Sequence, residues 1–333
     1  MSQKKRHGLI SALSAAALLA AAMFVAALFV TAGCGGGKKG GGAPPEGKAV
    51  KTGWTLPEIP PAIISETARR EYFVTHFWDR FIELSDSCRF DKKVVYRHME
   101  RFAAELYEIP AESAVAALTS LAEKAEAGQA GGGGSTAFTD ILDAAEHFFF
   151  DANSPWRSDD FYLPFLRRKA VSPICDSSDR ASAAALIPLL SLNSIGTPAA
   201  DFPFLRRAGG PASLYAATGE YTVLMFSNPD CDACALMRRT LESDDGVAAL
   251  AASGRLKLLD IYPDEDLAAW RDHASQASPL WLCGFDFEGV LKSDTMYYLR
   301  AIPSLYLLDA ERRVLLKDAP AERVIFELKK RAL

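Results

Sequence analysis

Asn228-Pro229-Asp230-Cys231-Asp232-Ala233-Cys234 joins an unbroken apolar and β-branched run, Tyr221 to Phe226, to an alanine- and leucine-rich stretch from Cys234 to about Ala252 that stops at Ser253-Gly254. The run suits a central strand buried on both faces, and the stretch suits a helix with a glycine stop. Leu256 to Tyr262 repeats the strand type, so the unit reads as strand, helix, parallel strand, with a right-handed crossover. Cysteines three positions apart in a first helical turn bring their sulfurs near enough to bridge. The helix N-terminus stabilises the thiolate of the earlier one through its dipole and free amides. Cys231 is therefore the predicted nucleophile, and Cys234, one turn deeper, the thiol that resolves a mixed disulfide.

Farther along, Ser304 to Leu308 and Arg313 to Lys317 flank Asp309-Ala310-Glu311-Arg312 as an antiparallel hairpin, and Pro320 to Arg331 reads as a closing helix. The sheet is then mixed. Ile302-Pro303 stands just before the hairpin, and a proline there can be cis and hold a backbone edge open beside the cysteines. Two plainer readings compete with redox chemistry: a static structural disulfide, and a metal half-site, for which no second cysteine pair is present.

With these residues in place the chain resembles the thioredoxin-like fold. Gly196-Thr197-Pro198-Ala199-Ala200-Asp201-Phe202 and Ser213-Leu214-Tyr215 are similar to the opening strand and turn of membrane-anchored TlpA-like thioredoxins and their peroxiredoxin relatives. Ile261-Tyr262-Pro263-Asp264-Glu265-Asp266 and the segment from Ala301 to Asp309 extend the likeness. Nearly all of the chain past its leader resembles bacterial lipoproteins in which a helical domain of unknown function precedes such a domain. The resemblance implies nucleophile, resolving and cis-proline roles for Cys231, Cys234 and Pro303, and a redox disulfide between the two cysteines. Asp230 stands where typical thioredoxins carry tryptophan, and Asp232-Ala233 replaces their Gly-Pro or Pro-Pro. Met225 takes the strand position of thioredoxin's buried aspartate, so the proton acceptor for Cys234 is water or another acid, with Asp260 as the candidate. Asn228 occupies the place where a peroxide-binding site has threonine, so a peroxidase is a minor alternative.

Working toward the N-terminus, the pattern is helical from Trp54 to about Asn193. Val74, Phe77, Trp78 and Phe81 share one face at three-and-four spacing, as do Phe138, Ile141, Leu142, Ala145, Phe148 and Phe149. Val95, Phe102 and Leu106 mark another helix. Val115 to Ala125 marks a further one opened by Pro110 as a first-turn residue, and Ala183 to Leu190 the last. Gly131 to Gly134 lacks a following Lys-Ser or Lys-Thr and reads as a linker, not a phosphate cradle. Trp78, Phe148, Phe149, Phe150, Trp156 and Tyr162 read as core rather than a ligand groove, and His76, His98 and His147 as structural imidazoles beside the apolar stripes.

Lys4, Lys5 and Arg6, an apolar run from Leu9 to Val30, and Thr31-Ala32-Gly33 before Cys34 read as an export signal, and resemble a bacterial lipoprotein signal whose lipidation site would be Cys34. The alternative is an uncleaved anchor, since about 20 apolar residues span a bilayer. Gly35 to Lys48 is too poor in apolar residues to bury a core and reads as a flexible tether. The expected organisation is a signal at 1–33, a tether at 34–53, an α-helical domain at 54–194 and an α/β thioredoxin-like domain, a mixed sheet flanked by helices, at 195–333.

Over 333 residues, 49% hydrophobic and 24% charged content excludes a wholly disordered chain. Loss of Lys4, Lys5 and Arg6 with the leader would take the net charge from −5 to −8. No basic stripe supports nucleic-acid binding, and the five scattered histidines offer no ligand spacing, so neither nucleic acid, metal nor cofactor is expected. Cys88, Cys175 and Cys283 read as buried free thiols, with an auxiliary redox role for Cys283 as the alternative. The expected protein is a lipid-anchored thiol-disulfide oxidoreductase of the cell envelope, facing the periplasm. It would act on disulfide-containing exported proteins and draw on a separate electron donor. The competing class is a non-enzymatic binding lipoprotein that keeps the fold as scaffold.

Overall fold

The computed structural model describes residues 54–85, 90–293 and 295–332. The leader, the tether, Cys34 and Cys88 lie outside the described residues. Helices α1 (Glu66–His76), α2 (Asp79–Ser85), α3 (Lys92–Leu106), α4 (Ala111–Ala130), α5 (Ala137–Ala145), α6 (Asp159–Val171) and α7 (Ser177–Leu190) build the first half. Side chains cap several of them: Asp91 accepts from the Lys93 N–H ahead of α3, Ser158 from Phe161 ahead of α6, and Asp176 from Asp179 ahead of α7.

The stripe expected to be one helix through Val74 and Phe81 is two helices, α1 and α2, with Phe77 and Trp78 at the break and all four side chains buried. The His76 Nδ1 pairs with Asp79 across that break at 2.6 Å. Pro110 precedes α4 as its cap rather than sitting in its first turn. The Phe138 stripe ends in a single wide π turn, Glu146–Phe150. Sequence periodicity did not reveal α6. Pro164 lies inside it, and Asp159 to Leu166 are buried all round, so no polar face remains to set a period. Trp54 packs among Phe77, Trp78, Phe81 and Phe90 and stacks on His98 at 3.7 Å.

The second half is a sheet of β1 (Pro203–Arg206), β2 (Pro211–Ser213), β3 (Tyr221–Phe226), β4 (Leu256–Tyr262), β5 (Trp281–Phe285), β6 (Ser304–Leu308) and β7 (Val314–Leu316), in the order β2-β1-β5-β4-β3-β6-β7. β3, β4 and β5 run parallel, and β1, β6 and β7 run antiparallel to their neighbours. Helices α8 (Asp232–Glu242), α9 (Asp245–Ala252), α10 (Leu267–Gln276) and α11 (Ala321–Ala332) accompany it. The single helix expected from Cys234 to Ala252 is α8 plus α9. Ser243 closes the first, and Asp244 caps the second by accepting from the N–H groups of Gly246 and Val247.

Two apolar layers sandwich the sheet. Val223, Met225, Leu258, Leu305 and Leu307 pack with Cys234, Leu241, Val324 and Leu328, while Leu224, Phe226, Leu259, Ile261 and Tyr306 pack with Phe202, Phe204 and Tyr297. Gly284 of β5 permits the close approach on the second layer, since a Cβ there would lie 2.6 Å from both Ile261 and Phe204. The expected arrangement of a helical half followed by a mixed sheet with flanking helices is the one observed.

Candidate active site

β3 delivers the chain to Ser227 at the end of the sheet, and Cys231 takes the N-cap of α8, its Sγ 3.1 Å from the Cys234 N–H. Cys231 is partly exposed and Cys234 is fully buried. Their sulfurs are bonded, S–S 2.11 Å, across a Cα–Cα distance of 5.2 Å. The asymmetry is positional: a cap residue lies outside the helix, whereas the third helical residue faces the sheet. Phe226 pairs with Ser304, so the residues leaving β3 meet those entering β6. The Ile302-Pro303 peptide is cis, and Ala233, Met237, Ile302 and Pro303 line one cleft of about 270 Å³. The structure thus brings Cys231, Cys234 and Pro303 to one sheet end. Of the segment from Cys231 to Cys234 only Ala233 lines that cleft, and a larger cleft of about 390 Å³, along the seam between α4 and β7, is lined by none of it.

Beneath the disulfide lies a buried polar cluster. Arg238, one helical turn beyond Cys234, donates to the Asp260 carboxylate at 2.8 Å and to Ser227 Oγ at 3.2 Å. Ser227 also bonds Asp260, and His273 Nε2 of α10 lies 3.6 Å from the same carboxylate. Asp260 sits directly across from Met225 on β3. Its two oxygens are engaged by Ser227 and Arg238, so it faces α8 as half of an ion pair. Sequence reading missed Arg238, Ser227 and His273. The available signal was Arg238 itself, a cation in line with Cys234 and Leu241 on the apolar side of α8.

Cys283 neighbours Asp260 on β5 and is buried, and Cys175 is buried in the helical half; both are free thiols. Burial, and then the Asp260 charge, push the Cys283 thiol up to about 11, which leaves it an inert apolar residue rather than an auxiliary nucleophile at neutral pH.

The helical half also reaches the cleft. Arg157 donates from Nη2 to the Pro303 carbonyl oxygen at 3.4 Å and to Asp318 Oδ1 at 3.3 Å, and Ser304 Oγ donates to the same Asp318 oxygen at 2.6 Å. Nothing in the local pattern around Arg157 marks it, because it sits in an aperiodic turn.

Residues 34–193 match the family described as a domain of unknown function, DUF5106. A crystal structure of a thioredoxin-like protein from Bacteroides caccae is 30% identical, with a TM-score of 0.69, in a match covering 84% of this chain and 99% of that one. The C-terminal domain of an uncharacterized protein from Bacteroides fragilis is 42% identical, with a TM-score of 0.40, covering 41% of this chain and 98% of that one. The thioredoxin domain of a thiol-disulfide oxidoreductase from Bacteroides vulgatus is 19% identical, with a TM-score of 0.36, covering 41% of this chain and 96% of that one. No curated protein matches the chain.

Proposed function

The chain belongs to the thioredoxin-like proteins that carry a DUF5106 helical domain ahead of the redox-type fold, and from that premise we propose that it is a thiol-disulfide oxidoreductase. The observation that carries the reading is the pairing of a partly exposed Cys231 at a helix N-terminus with a buried Cys234, beside the Pro303 turn. In the reduced protein the Cys231 thiolate attacks one sulfur of a client disulfide. A mixed disulfide forms and one client thiolate leaves. Cys234, giving up its proton, attacks Cys231, the Cys231–Cys234 bond closes, and the second client thiolate leaves. Two electrons pass to the client, and an external dithiol donor returns them. Placement in the cell envelope follows from the same proposal, with export by residues 1–33, lipidation at Cys34, and other exported proteins as clients.

The test is trapping. Cys234→Ala should accumulate client adducts on non-reducing gels after acid quenching, because the attacking thiol survives with nothing to resolve the adduct, and Cys231→Ala should accumulate none. Adducts from neither variant would favour a non-enzymatic scaffold. Mass spectrometry of the membrane-extracted N-terminus should find a diacylglyceryl Cys34, and an intact Met1 end would refute the anchoring.

A further inference from the structure

We propose that the helical half builds one wall of the client groove, and that Arg157 is the positioning residue that sets it, so that the groove takes a disulfide borne on a single extended peptide segment. The inference rests on the redox reading above. One side of the 270 Å³ cleft is α8 and the turn before β6; the other is the Asn153–Arg157 turn of the helical half. That turn is held from within and behind: Ser154 Oγ donates to the Phe148 carbonyl oxygen at 2.6 Å, and the Arg157 N–H donates to the Ser154 carbonyl oxygen at 3.2 Å. Tyr107 Oη donates to the Trp156 carbonyl oxygen at 3.4 Å. The wall is therefore fixed to the helical core and not a loose flap.

Arg157 ties the wall to the active-site turn. Its guanidinium is 11% exposed and Asp318 is 8% exposed, so the pair is sheltered from solvent screening. Nη2 holds the Pro303 carbonyl oxygen and Asp318 while Nη1 donates to the Ala152 carbonyl oxygen at 3.3 Å, so the planar fork spans the wall and the turn, which a single ammonium cannot do with the same geometry. Because Arg157 and Asp318 neutralise each other, the rest of the cleft offers chiefly apolar surface from Ala233, which stands between the two cysteines in sequence, and from Met237, Ile302 and Pro303. A chain one strand wide needs only about 4.8 Å of lateral room, whereas a flat protein surface would meet the helical wall. The favoured client segment is extended and carries an apolar residue next to its cysteine.

The experiment uses the full chain and two substrates: a disulfide-linked dimer of an unstructured peptide with a leucine beside its cysteine, and bis(2-hydroxyethyl) disulfide. Arg157→Ala should raise the KM for the peptide roughly tenfold more than the KM for the small disulfide, the scale expected for losing a charge-assisted hydrogen bond. Arg157→Lys should recover only part of that difference. Asn153→Trp, at an exposed position of the wall, should narrow the cleft and likewise penalise the peptide selectively. Equal changes for both substrates, or no change in the peptide KM with Asn153→Trp, would overturn the proposal. A wild-type chain that reduces neither substrate would instead refute the redox reading itself, before any substitution is made.

Discussion

Burial divides the thiols of this protein more sharply than their number does. Cys231 has partial access to water and a helix N-terminus to hold its thiolate, whereas Cys283 is walled in beside a carboxylate. After reduction, a brief pulse of iodoacetamide at pH 7.5 should label Cys231 and spare Cys283, as read by peptide mass spectrometry. Labelling of Cys283 at a comparable rate would contradict the assignment. The same burial sets a pH response. Burial, with smaller charge effects, pushes Tyr107 up to about 12 and Cys283 to about 11, and it holds Tyr297 and Tyr306 well above the ordinary phenol. Each group is thus more acidic in the unfolded chain. The stability they contribute is complete below the unfolded values and is lost as pH rises through the folded ones. The urea midpoint should therefore fall between about pH 9 and pH 11; a midpoint that rises would show the sign to be wrong. The reactive pair was legible because spacing and the preceding strand suffice to place a helix N-terminus. Arg238 and Asp260 were not legible as partners, since 22 residues and a change of element separate them.

Elements recovered from the pattern are those with one unambiguous environment. β3 and β4 are nearly continuous apolar runs, and a strand buried on both faces shows up that way. β5, Trp281-Leu282-Cys283-Gly284-Phe285, escaped because a glycine interrupts a five-residue run, and only the packing of Ile261 and Phe204 explains that glycine. The α8–α9 break escaped because Asp244 looks like one more helical acid until its side chain is seen to cap the next turn. Between elements, the Arg238–Asp260 pair ties α8 to β4 with side chains 10% and 3% exposed. Arg238→Met should strand a buried carboxylate and cost about 3–5 kcal/mol. Adding Asp260→Leu should return much of that loss, because the desolvated charge is then gone as well. Urea denaturation of the two variants measures both, and a double variant no more stable than the single one would mean that the ion pair is not what joins the elements.

At the scale of the whole molecule, the two halves could each be read from sequence, but their joint could not. It includes single charges in aperiodic turns: Arg300 donates to the Phe150 carbonyl oxygen at 2.6 Å and to Asp159 at 2.5 Å, and Lys317 Nζ lies 3.1 Å from Asp159. Lys317 also donates to the Leu190 and Leu192 carbonyl oxygens, at 2.9 and 2.7 Å. Asp159 is fully buried and Lys317 nearly so, which places an acid of α6 inside a cage supplied largely by the thioredoxin-like half. Separating the halves would expose neither charge gradually; it would break every contact of the cage together. The halves should therefore melt in one transition, with tryptophan signals from Trp54 and Trp78 in the first half and from Trp270 and Trp281 in the second following the same curve. Lys317→Met removes one partner of the buried carboxylate and should lower stability by about 3–5 kcal/mol, moving the signals of both halves by the same amount. Differential scanning calorimetry, with fluorescence of single-tryptophan variants, distinguishes the outcomes. A Lys317→Met protein in which only the thioredoxin-like signals move would mean that the joint is a contact between independently stable domains, and that Asp159 keeps its charge satisfied from within the helical half.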